Sequence, residues 1–271
     1  MKKEENKLIY GAIIGDYFGS SWEFTNHADE KPEDMRSLTF HDGGYTDDTV
    51  MTVAVAESLL NKKDVANTMR EYAHTYRCQR GGYGGRFCQW LSNPYAKPYG
   101  SYGNGAGMRV SSVAYFATSE EECLALSDKV TEVSHNHPEG MKGARILSLA
   151  IYRALHGSSK EELKELIEQN YDIDLDIEEL HRNYYHNETC QKSVPQAFYC
   201  FLTSTNFDDC LRRVCYIGGD ADTVGAMACA LAAAYYKEIP EYMIKQVKQA
   251  LPHHFIEVLD SIPLHIEERK N

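Results

Sequence analysis

Two short acidic segments carry most of the chemical potential of this chain: Tyr45-Thr46-Asp47-Asp48-Thr49 and Gly218-Gly219-Asp220-Ala221-Asp222-Thr223. Each supplies two carboxylates and at least one hydroxyl, each follows glycines, and each opens an apolar stretch. Hard oxygen donors without neighbouring Cys or paired His suit Mg²⁺ or Mn²⁺ better than Zn²⁺. If the segments converge, four carboxylates crowd together. At ~5 Å and an effective dielectric of ~20, each like-charge pair costs roughly 3 kcal/mol. Two divalent cations would balance four such charges, and one would leave them half neutralised. The same residues also make ordinary helix starts, with Thr46 capping free amides and the aspartates offsetting the helix dipole. Chemistry alone leaves both readings open.

Three further segments have reactive or ligand-binding residues. Gly100-Ser101-Tyr102-Gly103-Asn104-Gly105-Ala106-Gly107-Met108-Arg109 is glycine-rich and leads into apolar Val110 to Ala117. Exposed amides before a helix N-terminus cradle phosphate or diphosphate, although a P-loop ending is absent and a flexible loop has the same composition. Ser134-His135-Asn136-His137-Pro138 places two histidines before a helix that should begin at Pro138; the spacing is not that of a zinc site, and a hydrogen-bonded structural role suits them equally. Glu23, in Gly15-Asp16-Tyr17-Phe18-Gly19-Ser20-Ser21-Trp22-Glu23, falls at a helix end beside an aromatic, where a plain surface carboxylate is common.

The elements that must hold these segments read as helices. Ser119 with Glu122, Ser159 with Glu162 and Asn206 with Asp209 have capping-box form. Pro195 suits a first helical position. Asp47 to Leu60, Lys142 to His156 and Asp222 to Tyr236 are long and proline-free. The last is alanine-rich, hence narrow and able to pack closely in a crowded centre. The clearest strand-like alternation is Tyr171 to Ile177. Its D-x-D-x-D pattern is not a calcium loop, because Ile177 stands where the turn needs glycine and no closing Glu follows. The fold class expected is all-α, with long functional loops.

A chain of 271 residues with 43% hydrophobic content supports a packed core, and without linkers or repeats a single domain over 1–271 is expected. The net charge of −12 opposes non-specific nucleic-acid binding. No segment suits a secretory signal or a membrane span. Eight cysteines without C-x-x-C spacing read as reduced thiols in a cytoplasmic setting. A monomer is expected.

The chain resembles the ADP-ribosylglycohydrolase family, which includes ADP-ribosyl-arginine and ADP-ribosyl-serine hydrolases and the dinitrogenase-reductase-activating glycohydrolase. The resemblance runs from Gly11 to about Pro240. It rests on G-D-x-x-G-x-x-x-E at Gly15 to Glu23, T-D-D at Thr46 to Asp48, S-Y-G-N-G at Ser101 to Gly105, His135, S-V-P-x-A at Ser193 to Ala197, and G-G-D-x-D-T at Gly218 to Thr223. It implies an orthogonal helical bundle around a central binuclear Mg²⁺ or Mn²⁺ site, ligated by Thr46, Asp47, Asp48, Asp220, Asp222 and Thr223. It implies substrate contacts from Ser101, Tyr102, Gly103, Asn104, Gly105 and His135, with Glu23, Asp47, Asp48 and Asp222 as the catalytic carboxylates. Cys229, Ala233 and Lys237 stand where the family often has Gly, Ser111-Ser112 where Pro is common, and Gly107 where Ala is frequent. These departures concern packing and loop shape more than metal binding.

The implied activity is hydrolysis at the anomeric carbon of an ADP-ribosyl group on a protein or small conjugate. A different two-metal hydrolase, such as a phosphoesterase, and an ADP-ribose-binding protein without turnover are the alternatives. The linkage cleaved is not legible. Tyr83 to Pro98 or Asp172 to Gln191 would shape the mouth, with Tyr184, Tyr185, His186 and Glu188 as parts of a lid.

Overall fold

Three glycines spaced four apart, Gly11, Gly15 and Gly19, line one face of the first helix and let it lie directly on another backbone. The computed structural model describes residues 7–25, 40, 43–183 and 186–262; Tyr184 and Tyr185 of the suggested lid lie outside them. Within the described residues the chain forms α1 (Tyr10–Gly19), α2 (Asp47–Leu60), α3 (Val65–Thr75), α4 (Gly85–Ser92), α5 (Gly105–Met108), α6 (Val113–Phe116), α7 (Glu120–Thr131) and α8 (Pro138–Leu155). It continues with α9 (Lys160–Glu168), α10 (Ile177–Arg182), α11 (Cys190–Thr203), α12 (Phe207–Ile217), α13 (Ala221–Tyr236), α14 (Glu241–Ala250) and α15 (His253–Asp260). The fold is all-α. Among the described residues, β pairing is confined to an isolated bridge between Gly103 and Thr189.

α13 occupies the centre, buried from Ala221 through Ala234, and packs against α1, α2, α5, α8, α11 and α12. Its alanines keep it slim enough for this. Against α1 the approach is backbone to backbone and antiparallel: a β-carbon on Gly11, Gly15 or Gly19 would overlap the carbonyl of Cys229, Gly225 or Ala221. Cys229 and Ala233, two of the departures from the family pattern, therefore lie on this seam, opposite Gly11. Lys237, the third, is the C-cap of α13 and adopts a left-handed backbone (φ 55°), where glycine is the easiest occupant. α2 is held at its far end by Glu57, a buried carboxylate that accepts hydrogen bonds from Tyr72 of α3 and the ring of His254 of α15.

Ser119, Ser159 and Asn206 cap α7, α9 and α12, and Ser159 with Glu162 completes a reciprocal box. Other local expectations fail. Pro195 does not start a helix: α11 begins at Cys190, so the ring sits inside it and removes one helical hydrogen bond. Val110 to Ala117 is not one helix, since α5 and α6 are single turns separated by Arg109, Ser111 and Ser112, all buried. Tyr171 to Ile177 forms no strand; Asp176 ends the irregular stretch by capping α10.

Adding a methyl group at the α1–α13 seam should cost about 1–3 kcal/mol through overpacking. Gly15→Ala and Gly225→Ala are expected to lower the thermal midpoint by several degrees, whereas Gly85→Ala, whose β-carbon would meet nothing within 4 Å, should melt like the parent. Equal melting of all three variants in calorimetry would contradict the seam.

Candidate metal centre and ligand cleft

The approach of α1 to α13 puts Asp16, buried in the middle of α1, at the N-terminus of α2. Its carboxylate accepts bonds from the backbone N–H and hydroxyl of Thr46 and from those of Thr49. A carboxylate is favoured there because the first amides of a helix lack internal partners and carry partial positive charge. Asp16 thereby fixes the turn that presents Asp47 and Asp48. Thr46 is the N-cap of α2, its hydroxyl accepting from the Asp48 amide at 3.2 Å.

The second acidic segment is formed by a glycine turn. Gly218 and Gly219 have φ of 70° and 71°, and a side chain on Gly218 would also collide with the Thr25 carbonyl. The turn carries the chain from α12 into α13 and leaves Asp220 at the N-cap, with Asp222 and Thr223 in the first turn. The segments meet: the Thr223 hydroxyl donates to Asp48 Oδ2 at 3.2 Å. One oxygen each of Asp16, Asp48 and Asp222 lies within 4.8 Å of the other two, and the same holds for one atom each of Glu23, His186 and Asp220. Asn104, from the glycine-rich segment, donates to both Asp220 and Ser193.

Burial raises the proton affinity of all these carboxyl groups, and mutual repulsion adds to it for all but Asp222. Burial first, then Asp222, push Asp16 and Asp47 up to about 7. Burial, then Asp222, Asp47 and Asp16, push Glu23 up to about 8. Asp48 and Asp220 are driven well above the carboxylate range by burial and then Asp222, and burial raises Asp222 itself. Among the described residues none of them is paired with Lys or Arg.

The donor set fits divalent cations. Asp48 Oδ1 is buried with no hydrogen-bond partner, a position that is costly for a carboxylate oxygen unless a cation takes it. The Thr46 hydroxyl, with one proton, lies 2.8 Å from Asp16 Oδ1 and 3.0 Å from Asp48 Oδ2. All the surrounding donors are oxygens except His186, which favours Mg²⁺, Ca²⁺ or Mn²⁺ chemistry.

These groups floor a cleft of about 520 Å³, within the size range of small-molecule sites. Glu23, Asp47, Asp48, Asp220, Asp222 and Thr223 line it together with Ser101, Gly103, Asn104, Gly105 and His135. Gly84 to Phe87, His186 and Glu188 complete the rim. Of the anticipated residues, two lie off the cleft surface. Thr46 is one layer behind Asp48, and the Tyr102 ring, 44% exposed, turns outward against His137. Asp172 and Asp174 belong to a separate surface depression with Lys164 and Glu168.

Sequence reasoning missed Asp16 as part of the site. Its signal was available: a carboxylate inside an apolar helix, flanked by Ile13, Ile14 and Phe18, must have partners. Arg109 was also missed. It is fully buried beside the cleft, and its significance emerges below.

A family model described as ADP-ribosylglycohydrolase matches residues 7–270. Among curated proteins, the chain is 28% identical to ADP-ribosylhydrolase ARH3 of Homo sapiens, over 86% of each chain. It is 29% identical to the ADP-ribosyl-[dinitrogen reductase] glycohydrolase of Rhodospirillum rubrum, over 83% of each. Among solved structures, an ADP-ribosylglycohydrolase-related protein complex superposes with a TM-score of 0.68 at 25% identity, covering 94% of this chain and 95% of that one.

The raised carboxyl groups make stability depend on pH with a definite sign. Between about pH 4, where unfolded carboxyls titrate, and the folded values of about 7 to 8, the folded chain holds more protons than the unfolded one. The stabilisation from these groups is therefore full below this window and is lost as pH rises through it. Cation-free protein should melt lower at about pH 8 than at about pH 5, and millimolar Mg²⁺ or Mn²⁺ should recover most of the difference. Identical melting at pH 8 with chelator and with cation would contradict the metal centre.

Proposed function

This chain belongs to the ADP-ribosylglycohydrolase family, and we propose that its cleft hydrolyses the glycosidic bond at the anomeric carbon of an ADP-ribosyl group in a metal-dependent reaction. The observation that carries this reading is the meeting of the two acidic segments, through Thr223 and Asp48, in a cleft that the glycine-rich loop also lines. The curated relatives are named for release of ADP-ribose, in one case from dinitrogen reductase. An ADP-ribosylated protein or small ADP-ribose conjugate is accordingly the substrate class here.

Two cations, Mg²⁺ or Mn²⁺, would be held by Thr46, Asp47, Asp48, Asp220, Asp222 and Thr223. When bound, divalent cations supply charge that acidifies water and orients ribose hydroxyls. The backbone of Ser101 to Gly105 holds the diphosphate and sets the register of the sugar over the acidic floor, with Tyr102 contributing through its main chain. His135 contacts the ligand beside that loop. Asn104, tied to Asp220 and Ser193, couples the loop rigidly to the cation-binding turn.

Glu23 carries the proton. It lines the cleft, half-buried, beside the acidic segments, within reach of a water or leaving group bound there. As water adds to the anomeric carbon, one proton leaves the water and one reaches the departing group. The transition state carries positive charge on the sugar ring, and the surrounding carboxylates favour it. The eight free cysteines, six of them buried, support the reading of a reducing, cytoplasmic setting for this chemistry.

Release of ADP-ribose from a panel of defined conjugates should require Mg²⁺ or Mn²⁺ and stop with chelator. Asp47→Ala and Asp222→Ala should each reduce turnover at least a hundredfold; turnover that survives chelation and both substitutions would remove the metal mechanism. Glu23→Gln, which keeps size but not the exchangeable proton, should lower kcat by about 10²–10⁴ while ADP-ribose binding stays within a few-fold of the parent. An unchanged kcat would assign proton transfer elsewhere.

A further inference from the structure

The cleft contains a hydrogen-bond relay that determines how the buried imidazole of His135 presents itself. Arg109 is fully buried, and its Nη2 donates to Ser134 Oγ at 2.9 Å and to the Val130 carbonyl at 3.3 Å. Ser134 Oγ in turn lies 2.8 Å from His135 Nδ1. Both Ser134 and His135 are buried. Nε2 of the same ring faces the glycine loop, where a β-carbon on Gly105 would sit 3.1 Å from it.

The proton count settles the direction of the relay. A guanidinium has donors only, so Ser134 Oγ accepts from Arg109. The hydroxyl's single proton then has His135 Nδ1 as its acceptor among the described residues, and directing it elsewhere would leave a buried donor unpaired. Nδ1 is therefore the bare nitrogen, and the ring proton resides on Nε2. The environment also keeps the ring uncharged. Burial, then the positive charges of Arg109 and Arg86, hold His135 well below the usual histidine range. Burial lowers Arg109 only to about 10, which leaves it cationic at neutral pH.

We propose that Arg109 and Ser134 are positioning residues that lock His135 in the neutral Nε2–H tautomer, so that it presents a fixed N–H donor to a phosphate oxygen of the bound ADP-ribosyl group. The identity of that ligand rests on the functional reading above; the tautomer does not. A neutral donor locked in one tautomer gives direction without adding charge beside the acidic floor. It also makes the bond available without reorganisation on binding. The glycines are part of the device: Gly103 and Gly105 keep the space in front of Nε2 open.

The test is a long-range ¹H–¹⁵N spectrum of ring-labelled, cation-free protein at neutral pH, with His135 identified by the signals missing in His135→Asn. The wild type should show a protonated Nε2 and a bare Nδ1. Ser134→Ala should turn this into a tautomer mixture, and Ser134→Thr should restore it. By titration calorimetry, Ser134→Ala should bind ADP-ribose roughly tenfold more weakly, the worth of one hydrogen bond to a charged acceptor. Its KM should rise with kcat nearly unchanged, and Ser134→Thr should recover both. A proton on Nδ1 or an imidazolium in the wild type overturns the proposal, and so does parental affinity in Ser134→Ala. Absence of ADP-ribose binding by the wild type is a separate result, which overturns the functional reading and, with it, the role given to Nε2.

Discussion

The site depends on one close approach, that of α1 to α13 across glycine and alanine. Because Gly11, Gly15 and Gly19 have no side chains, the two backbones touch, and Asp16 reaches the N-terminus of α2 instead of being held a side chain's width away. From that contact the remaining geometry follows. Asp16 binds the amides and hydroxyls of Thr46 and Thr49, α2 is clamped by its first turn, and Asp47 and Asp48 face the start of α13. Glu57 anchors the other end of the same helix against α3 and α15. The alanines of α13 serve the same purpose, allowing six helices to converge on one slender rod.

This arrangement concentrates acid that, among the described residues, pairs with no Lys or Arg. Desolvation raises the proton affinity of Asp16, Glu23, Asp47, Asp48, Asp220 and Asp222, and like-charge repulsion adds to it on all but Asp222. The proposed divalent cations would offset this charge, because their own is compact and Asp48 Oδ1 is buried without a hydrogen-bond partner. The glycine-rich loop and His135 give the same cleft a contrasting character. The proposed diphosphate contacts come from backbone amides and the His135 ring, which the buried Arg109 positions through Ser134.

Much of this was legible in the residues. Paired aspartates with a neighbouring threonine after glycines marked both helix starts, and α2 and α13 begin within one residue of where those patterns place them. The order of motifs along the chain identified the family before any fold was known. What was not legible has a common cause, since it depends on tertiary contacts that no local pattern encodes. Asp16 reads locally as one polar residue in an apolar helix, and only the α1–α13 contact turns it toward α2. Pro195 looks like a helix start because its ring suits a first turn, yet α11 begins earlier. Val110 to Ala117 has helical composition, but only Val113–Phe116 forms a turn of helix, preceded by the buried Ser111 and Ser112. The alternation of Tyr171 to Ile177 finds no neighbouring strand to pair with.

The account stands on Asp47 and Asp48 sharing divalent ions with Asp220 and Asp222 at the floor of an ADP-ribose cleft. Anomalous diffraction from crystals grown with Mn²⁺ and ADP-ribose locates those ions directly. Two manganese peaks between the first turns of α2 and α13, with the diphosphate against Ser101 to Gly105, are the result the account predicts. Full ADP-ribose density with no ordered manganese between those aspartates would contradict it.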